Sequence, residues 1–239
     1  MRRRTEESHR ESYGTYGRRR IAKDLANSGF CASPSRVERR MKEIGIQGYV
    51  PPSFRKTTIP DAATANSPNM LKDSFDLSEP NQVWVTDITY VATREGWVYL
   101  CVFIDLYSRK VVGWAIDDNM RADLVIKAFE MAYRCRKPTH GLVVHSDCGG
   151  QYKSTRFRRL LWKRKVKQSM THAGNCYDNA YAESFFSTLK KDLIRGVKFE
   201  ARESAKSAMF EYIEAFYNRR RLHSGLDYKS PEQFENEIA

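Results

Sequence analysis

Three acidic residues stand at positions where a carboxylate is costly unless it has a partner. Asp87 lies within the β-branched and aromatic segment Trp84–Tyr90, and Asp147 follows the apolar segment Leu142–Ser146. Removing a carboxylate from water is unfavourable unless it is hydrogen-bonded, ion-paired or bound to a metal. Glu183 lies on a predicted helix, from which it can face the edge of the sheet that carries the aspartates. Each acid alone is more simply an ordinary strand-end or surface residue, whereas the three together predict a shared site.

Metal-dependent phosphoryl transfer is the chemistry that suits such a set of acids. Mg²⁺ prefers oxygen ligands, keeps several waters and binds through a few carboxylates plus the phosphates of a substrate. Two such ions about 3.5–4 Å apart can activate an attacking oxygen and stabilise the leaving oxygen of an in-line displacement. We therefore predict that Asp87, Asp147 and Glu183 are catalytic residues and metal ligands. The predicted cofactor is Mg²⁺ or Mn²⁺, with two ions as the expected number.

Polar residues near the acids are candidate phosphate contacts. On a helical wheel Asn179, Glu183 and Lys190 fall within about 40° of one another. Lys190 could therefore hold a phosphate near the glutamate as a point charge. His145 precedes Asp147 by two residues, so both side chains point to the same face of the strand. We predict phosphate contacts at Asn179, His145 and Lys190, although a histidine packed within the sheet fits the position of His145 equally well.

The elements that must position these residues form a predicted α/β domain over residues 81–239. Three strands separated by short turns come first, and helices and two shorter strands follow. The predicted strands are 83–90, 97–105, 110–116, 142–146 and 167–170, and the predicted helices are 121–134, 154–164, 178–194 and 204–218. The order βββαβαβα is that of a ribonuclease-H-like fold, in which helices flank a mixed five-stranded sheet. Trp84 and Trp97 are expected in its core.

A small helical region precedes this domain over residues 1–48. Ser33 is a predicted N-cap with Pro34 at the first helical position, so a second helix is expected there after a first helix that ends near Gly29. Two short helices with basic outer faces suggest a helix-turn-helix-like, DNA-binding module. The predicted DNA contacts are Arg18, Arg19, Arg20, Arg36 and Arg39. A helical hairpin that only packs on its neighbour is the alternative. Residues 49–80 hold five of the eight prolines and are predicted to be a linker.

Charge points to a polyanionic partner. The formal net charge is +12, and residues 1–56 hold 14 Lys/Arg against 6 Asp/Glu. A second stretch, residues 156–167, has seven Lys/Arg and no acid. Neutralising phosphates with such residues releases condensed counterions, which favours nucleic acid as the partner. A basic surface that only keeps the protein in solution is the alternative.

Composition favours a folded core and excludes several classes of protein. Hydrophobic residues make up 41% of the chain, and the longest apolar stretches fall short of the roughly 20 residues of a membrane helix. The five cysteines are an odd number without CxxC spacing, which argues against a disulfide framework or a structural zinc site. No apolar segment follows the basic N-terminus. We expect a cytoplasmic, nucleoid-associated protein with no membrane partner.

Long segments around the acids resemble one known family. They are Trp84–Tyr90 (WVTDITY), His145–Tyr152 (HSDCGGQY), Gly174–Lys190 (GNCYDNAYAESFFSTLK) and, in the C-terminal tail, Tyr217–Glu232 (YNRRRLHSGLDYKSPE). These segments are similar to motifs of the DDE transposases of bacterial insertion sequences of the insertion-sequence-three type, which are relatives of retroviral integrases. Thirty-five residues separate Asp147 from Glu183, which is the spacing of that family's D,D(35)E motif. The resemblance extends over nearly the whole chain.

The resemblance implies a function, a cofactor and partners. It implies a ribonuclease-H-like integrase core that uses a divalent metal for DNA cleavage and strand transfer, in which a DNA 3′-hydroxyl attacks a phosphodiester. The expected partners are DNA, both element ends and target, and the product of an upstream reading frame or a fusion with it. A homo-oligomer on DNA, at least a dimer, is also implied. Residues 1–48 correspond to the family's helix-turn-helix region.

Two departures from the family pattern lie beside Asp147. Cys148 stands where the family usually has arginine, and Gly150 where it usually has serine. Neither position is a metal ligand, although loss of a cation beside the site would weaken the positioning of DNA. The alternatives are a ribonuclease-H-like nuclease without strand transfer and a truncated, inactive DNA-binding remnant.

Overall fold

Five β-strands form one mixed sheet with the order β3-β2-β1-β4-β5. The strands are β1 (Val83–Thr93), β2 (Gly96–Asp105), β3 (Val111–Asp117), β4 (Val143–Ser146) and β5 (Lys167–Met170). The computed structural model describes residues 1–49, 67–70, 77–139, 141–171 and 180–237. The first three strands are antiparallel neighbours, and β4 and β5 add to the β1 edge as parallel strands. The predicted ribonuclease-H-like sheet and its five strands are confirmed.

Helices cover both faces of the sheet. They are α4 (Ala122–Arg136), α5 (Gly150–Lys153), α6 (Thr155–Lys163), α7 (Ala180–Leu189), α8 (Arg202–Glu211) and α9 (Pro231–Asn236). On one face, Trp84 and Phe103 of the sheet pack against Phe129 of α4 and Phe157 of α6. On the other face, α7 and α8 pack on β1 and β2. Both α7 and α8 continue as short π-helices, Lys190–Ile194 and Tyr212–Tyr217.

The parallel pairing of β1 with β4 sets the level of the two aspartates. The last registered pair between these strands is Val85 with His145. Asp87 and Asp147 each lie two residues beyond that pair. Since parallel strands advance by the same rise per residue, the backbones of the two aspartates lie side by side at the same end of the ladder.

The N-terminal region contains three helices, α1 (Arg2–Glu11), α2 (Arg18–Asn27) and α3 (Pro34–Glu43). The predicted pair α2 and α3 is confirmed, and the Ser33 hydroxyl caps α3 by accepting a hydrogen bond from the Arg36 backbone N–H at 3.3 Å. Helix α1 was missing from the prediction because its sequence has no apolar stripe. Its inner face is polar instead, with Ser8 buried and donating to Asp24 at 2.5 Å.

The N-terminal helices share one hydrophobic cluster with the α/β part of the chain. Ile21 and Val37 are fully buried in a cluster that also contains Phe185 of α7 and Ile213 after α8. A hydrogen bond from backbone to side chain spans the same contact: the Leu222 N–H donates to the Tyr16 hydroxyl at 2.7 Å. Helices α2 and α3 therefore pack on the α/β part of the chain, as the alternative interpretation predicts, and this packing does not exclude a DNA contact on their outer faces.

Most of the predicted linker lies outside the described residues. Residues 50–66 and 71–76 are not described, so the linker prediction for them stays a prediction. The short piece 67–70 runs along β5, where the Met70 N–H donates to Ser169 Oγ at 2.9 Å. No helix in the described ranges is long and apolar enough to cross a membrane.

Tyr16→Phe is expected to lower the free energy of unfolding by about 1–3 kcal/mol, because it leaves the buried Leu222 N–H without its acceptor. Urea denaturation followed by circular dichroism measures the change. Tyr13→Phe is the matched control, since Tyr13 is 37% exposed and its change should stay below about 0.5 kcal/mol. Equal effects of the two substitutions would contradict the assignment.

Candidate active site

The two aspartates emerge from neighbouring strands in different environments. Asp87 is half-buried on β1, and its Oδ1 accepts a hydrogen bond from the Ile88 N–H at 2.7 Å. Asp147 is exposed directly after β4, and its Oδ1 accepts from the Gly149 N–H at 3.0 Å. This contact holds the turn that leads into α5. Asp147 is therefore the solvent-facing member of the pair.

Glu183 is presented to solvent by helix α7. Ala182, Phe185, Phe186 and Leu189 form the buried face of α7, which fixes the rotation of the helix against the sheet. Glu183 lies in the first turn of the described helix and is exposed. The positions of these apolar residues in the sequence therefore determine the side of α7 on which Glu183 lies.

Asp87 and Glu183 line one cleft. The cleft has a volume of about 660 Å³ and is bounded by β1, α7 and the π-helical turn that follows α7. Lys190 lies in the same lining, as its helical spacing from Glu183 predicts. Asp147 is outside the lining, although it is close enough to act on Asp87 electrostatically. The predicted set is thus assembled in part, with two acids and the lysine in the cleft and the third acid at its side.

The pKa of Asp87 is raised to about 7, and burial is the largest cause. The negative charges of Asp147 and Glu183 also act to raise this pKa, whereas the hydrogen bond from the Ile88 N–H and the charge of Lys190 act to lower it. Like charges that converge on a desolvated carboxylate favour its protonated form. Binding of a cation in this cleft is therefore favourable, because the cation neutralises the charge of the carboxylates.

The donor set fits a magnesium-type ion that has few protein ligands. Within the part of the chain that the structure describes, no three His, Cys, Asp or Glu side chains lie close enough together to hold a metal ion. A closed protein cage is therefore not formed by these residues. Mg²⁺ characteristically binds through one or two carboxylates and completes its shell with water and substrate phosphate, and the side chains of Asp87 and Glu183 line the same open cleft.

The other predicted phosphate contacts have different surroundings. The Lys190 ammonium lies 5.7 Å from the centre of the Tyr90 ring at the cleft. His145 is fully buried, and its two ring nitrogens lie 2.9 Å from Ser169 Oγ and 3.0 Å from Thr171 Oγ1. These hydrogen bonds are those of a histidine packed within the sheet, which is the second of the two interpretations of His145 that the sequence allows. Asn179 lies outside the described residues, so its role stays a prediction.

The predicted DNA-binding arginines divide into two groups. Arg19, Arg36 and Arg39 are exposed on α2 and α3. Arg18 is also exposed and forms an ion pair with Glu38 of α3. Arg20 instead turns towards the catalytic part of the chain, where it is half-buried and lies 5.6 Å from the Tyr16 ring. The exposed arginines can reach a ligand on the outer face of the helices, whereas Arg20 cannot.

Sequence reasoning missed part of the cleft and misplaced one aromatic residue. Lys191 and Arg195 extend the basic rim beyond Lys190, and both lie against the Tyr49 ring. The basic residues that follow Glu183 on the helix could have indicated this rim. Trp97 was expected in the core but is 49% exposed, because it lies on the outer side of the β1–β2 hairpin.

Asp87→Asn is expected to be more stable than the wild type as the pH rises, in the absence of metal. The pKa near 7 in the folded protein lies above the ordinary aspartate value of 3.8. The stability that this group contributes is therefore present at low pH and is lost as the pH rises through 7. The advantage of the variant should grow by about 2 kcal/mol between pH 5 and pH 8, after allowing for partial solvent access.

Urea denaturation of Asp87→Asn at the two pH values measures this effect. Asp117→Asn is the control, because the hydrogen bond from Lys127 lowers the pKa of Asp117. Its stabilising contribution is already complete above the unfolded pKa, so its loss should cost the same at pH 5 and pH 8. An Asp87→Asn advantage that does not change with pH contradicts the assigned environment.

Comparison with known proteins identifies the class of protein to which this fold belongs. The integrase core domain family matches residues 78–176 and a second integrase core family matches residues 183–238, while an HTH-like domain family matches residues 2–54. Among solved structures, the magnesium-bound catalytic core of HTLV-2 integrase aligns with a TM-score of 0.51 and 18% identity, over 66% of this chain and 98% of that one. The simian T-cell lymphotropic virus intasome aligns with a TM-score of 0.55 and 15% identity, over 90% of this chain and 70% of that one. The catalytic part is therefore an integrase core with a ribonuclease-H-like fold.

Curated relatives narrow the class to a family. The transposase of insertion sequence element IS904 from Lactococcus lactis is 42% identical over 94% of this chain and 89% of its own length. The transposase InsF of IS3A from Escherichia coli K12 is 40% identical over 92% of this chain and 77% of its own length. The chain belongs to the family of IS3-type transposases with an integrase core. It is an enzyme of the polynucleotidyl transferase type that acts on DNA in transposition, as the sequence motifs predicted.

Proposed function

We propose that this enzyme catalyses metal-dependent DNA cleavage and strand transfer, with Asp87, Asp147 and Glu183 as its catalytic acids. The observation that carries the proposal is the convergence of Asp87 and Glu183 on one cleft that also contains Lys190. Asp147 is proposed as the third acid because it leaves the sheet beside Asp87 and raises the pKa of that residue.

Each residue has a distinct task in this proposal. Asp87, Asp147 and Glu183 would hold the divalent metal through their carboxylate oxygens. The ions would stabilise charge on the attacking and leaving oxygens of the phosphodiester. Asp87, whose pKa is raised to about 7, would have to be in its ionised form to serve as a ligand. Lys190 positions a neighbouring phosphate as a point charge.

DNA is proposed to enter along the basic rim of the cleft. Lys190, Lys191 and Arg195 follow one another on the helix that carries Glu183, and they face the same opening. Arg19, Arg36 and Arg39 provide a second basic surface on α2 and α3. Contacts of this kind hold the phosphate backbone without reading its sequence, so the two surfaces fix the position of the DNA relative to the acids.

The proposed cofactor and partners follow from the family. Mg²⁺ or Mn²⁺ is the proposed cofactor, and the retroviral integrase core of similar fold was solved with magnesium. Two copies of the enzyme acting on paired element ends, and a fusion with the product of an upstream reading frame, are proposed as the working assembly. Cys148 leaves the surroundings of Asp147 without the cation usual in the family, which is expected to weaken but not abolish DNA positioning.

A strand-transfer assay tests the proposal. Oligonucleotides that carry the ends of the element are incubated with the protein and either Mg²⁺, Mn²⁺ or EDTA, and the products are resolved on a denaturing gel. Joined products that require the metal support the proposal. Cleaved but unjoined products indicate a nuclease without strand transfer. DNA binding without any cleavage, even with Mn²⁺, indicates an inactive remnant that only binds DNA.

A further inference from the structure

A small pocket on the opposite side of α7 from the cleft brings together three arginines from separate parts of the chain. Arg20 comes from α2, Arg109 from the turn between β2 and β3, and Arg221 from the segment after α8. The pocket has a volume of about 120 Å³, well above the roughly 10–15 Å³ that one water requires. It can therefore hold a tetrahedral oxyanion. We call it the arginine pocket.

The positive charge of the arginine pocket exceeds the negative charge around it. Arg221 is buried and donates from Nε to Asp192 Oδ2 at 3.0 Å. Arg20 and Arg109 form no ion pair with any residue in the described ranges, and the buried Nε of Arg20 has no hydrogen-bond partner there. Arg109 lies 5.4 Å from the centre of the Tyr181 ring. Among the described residues, Asp192 is thus the one carboxylate that is ion-paired with any of the three guanidinium groups, and both its Oδ1 and the Arg20 Nε are buried without a hydrogen-bond partner.

Neighbouring groups add hydrogen-bond donors rather than negative charge. The hydroxyls of Ser184 and Thr188 on α7, and of Ser224 in the tail, line the arginine pocket. His223 lies beside them, and burial lowers its pKa to about 2, helped by the charges of the three arginines. His223 is held neutral first by burial, and the charges of the three guanidinium groups act in the same direction. Such a pocket attracts anions.

We propose that the arginine pocket binds a phosphate-type oxyanion through Arg20, Arg109 and Arg221. Guanidinium groups suit this ligand because their planar N–H donors match two phosphate oxygens at once. The anion comes either from the DNA backbone, as a phosphodiester, or from solution, as free phosphate. Because the three arginines belong to different elements, the bound anion also ties the N-terminal helices to the catalytic part.

The arginine pocket is separate from the proposed catalytic chemistry. Ser184 and Thr188 lie on one side of α7, whereas Glu183 and Lys190 lie on the side that faces the cleft. Anion binding requires neither the three acids nor a divalent metal. Its failure in an experiment would therefore leave the strand-transfer proposal untouched, and the reverse also holds.

Calorimetric titration of the full chain with inorganic phosphate tests the proposal, at constant ionic strength and without divalent metal. The wild type should bind one phosphate per chain in a saturable manner. Arg20→Gln and Arg109→Gln should each weaken binding at least tenfold. Arg134→Gln removes the same charge from an exposed position on α4, outside the arginine pocket, and it should stay within twofold of the wild type. The two pocket variants lie on different elements, so either one carries the test if the other fails to fold.

Thermal unfolding gives an independent measurement on the same proteins. Phosphate at ten times its wild-type Kd should raise the Tm of the wild type by about 3 °C and that of Arg20→Gln by about 1 °C or less. Without phosphate, Arg20→Gln should melt at or above the wild-type temperature, because it removes an unpaired cation from beside two others. Absence of saturable phosphate binding to the wild type overturns the proposal. Wild-type affinity in both pocket variants overturns it as well.

Competition with DNA identifies the source of the anion. The affinity for a duplex oligonucleotide is measured with inorganic phosphate replacing chloride at equal ionic strength. If phosphate weakens DNA binding by the wild type but not by Arg20→Gln, a backbone phosphodiester occupies the arginine pocket. If phosphate binds yet leaves DNA affinity unchanged, the ligand is the free anion.

Discussion

Replacing Asp87 or Asp147 by asparagine, or Glu183 by glutamine, is expected to reduce metal-dependent strand transfer by on the order of 10³-fold or more. The amide keeps the shape of the carboxylate but loses the negative charge that a divalent cation requires. Asp87 and Glu183 share the cleft, so each loss removes one of the two carboxylates that face it. The three losses should not be additive, because the acids act as a unit.

DNA binding separates a chemical effect from a structural one. Each of the three variants should bind a duplex oligonucleotide within about twofold of the wild type, because the basic residues are unchanged. Matched controls are Asp227→Asn in the tail and Glu203→Gln on α8, which are both exposed and should keep full strand transfer. Wild-type activity in any one of the three variants would show that this residue is not a catalytic acid.

Asp192→Asn is expected to destabilise the folded protein by about 3–5 kcal/mol. The Asp192 carboxylate is buried and accepts hydrogen bonds from Arg221 Nε and from the Tyr212 hydroxyl, both at 3.0 Å. Removing its charge leaves Arg221 buried and uncompensated beside Arg20. Since a domain is stable by only about 5–15 kcal/mol, this single change would take a large share of the total.

Urea denaturation at neutral pH measures the effect of Asp192→Asn. Glu232→Gln is the control, because it also breaks a pair with an arginine, Arg219, but both partners are exposed and 3.6 Å apart. Its cost should stay below about 1 kcal/mol. Equal costs for the two variants would mean that burial does not govern the strength of the Asp192 pair.

Local pattern was sufficient to predict the strands that carry the two aspartates. The β-branched segment around Asp87 and the apolar segment before Asp147 each have one way to pack, as strands buried by helices on both faces. The spacing of Phe185 and Leu189 likewise fixed the buried side of α7 and therefore the side on which Glu183 lies. Short-range periodicity contains this information because burial of apolar side chains dominates the free energy of folding.

Other features depend on contacts between segments that are distant in the sequence, which periodicity does not report. Helix α1 is held by polar contacts such as Ser8 to Asp24. The two-residue spacing of His145 from Asp147 suggested a phosphate contact, but its hydrogen bonds to β5 and Thr171 occupy the ring. The arginine pocket needs three segments about a hundred residues apart, so none of its parts was recognisable alone.

The shared core beneath the N-terminal helices limits how this enzyme can be divided or recombined. Ile21 and Val37 are buried against the same cluster as Ile213, and Tyr16 is bonded to Leu222. These pieces should unfold together in a single cooperative transition. A chimera in which residues 1–48 come from a relative would therefore have mismatched side chains in this shared core. Replacing the tail that begins near residue 213 with that of the same relative would keep both sides of the interface from one protein.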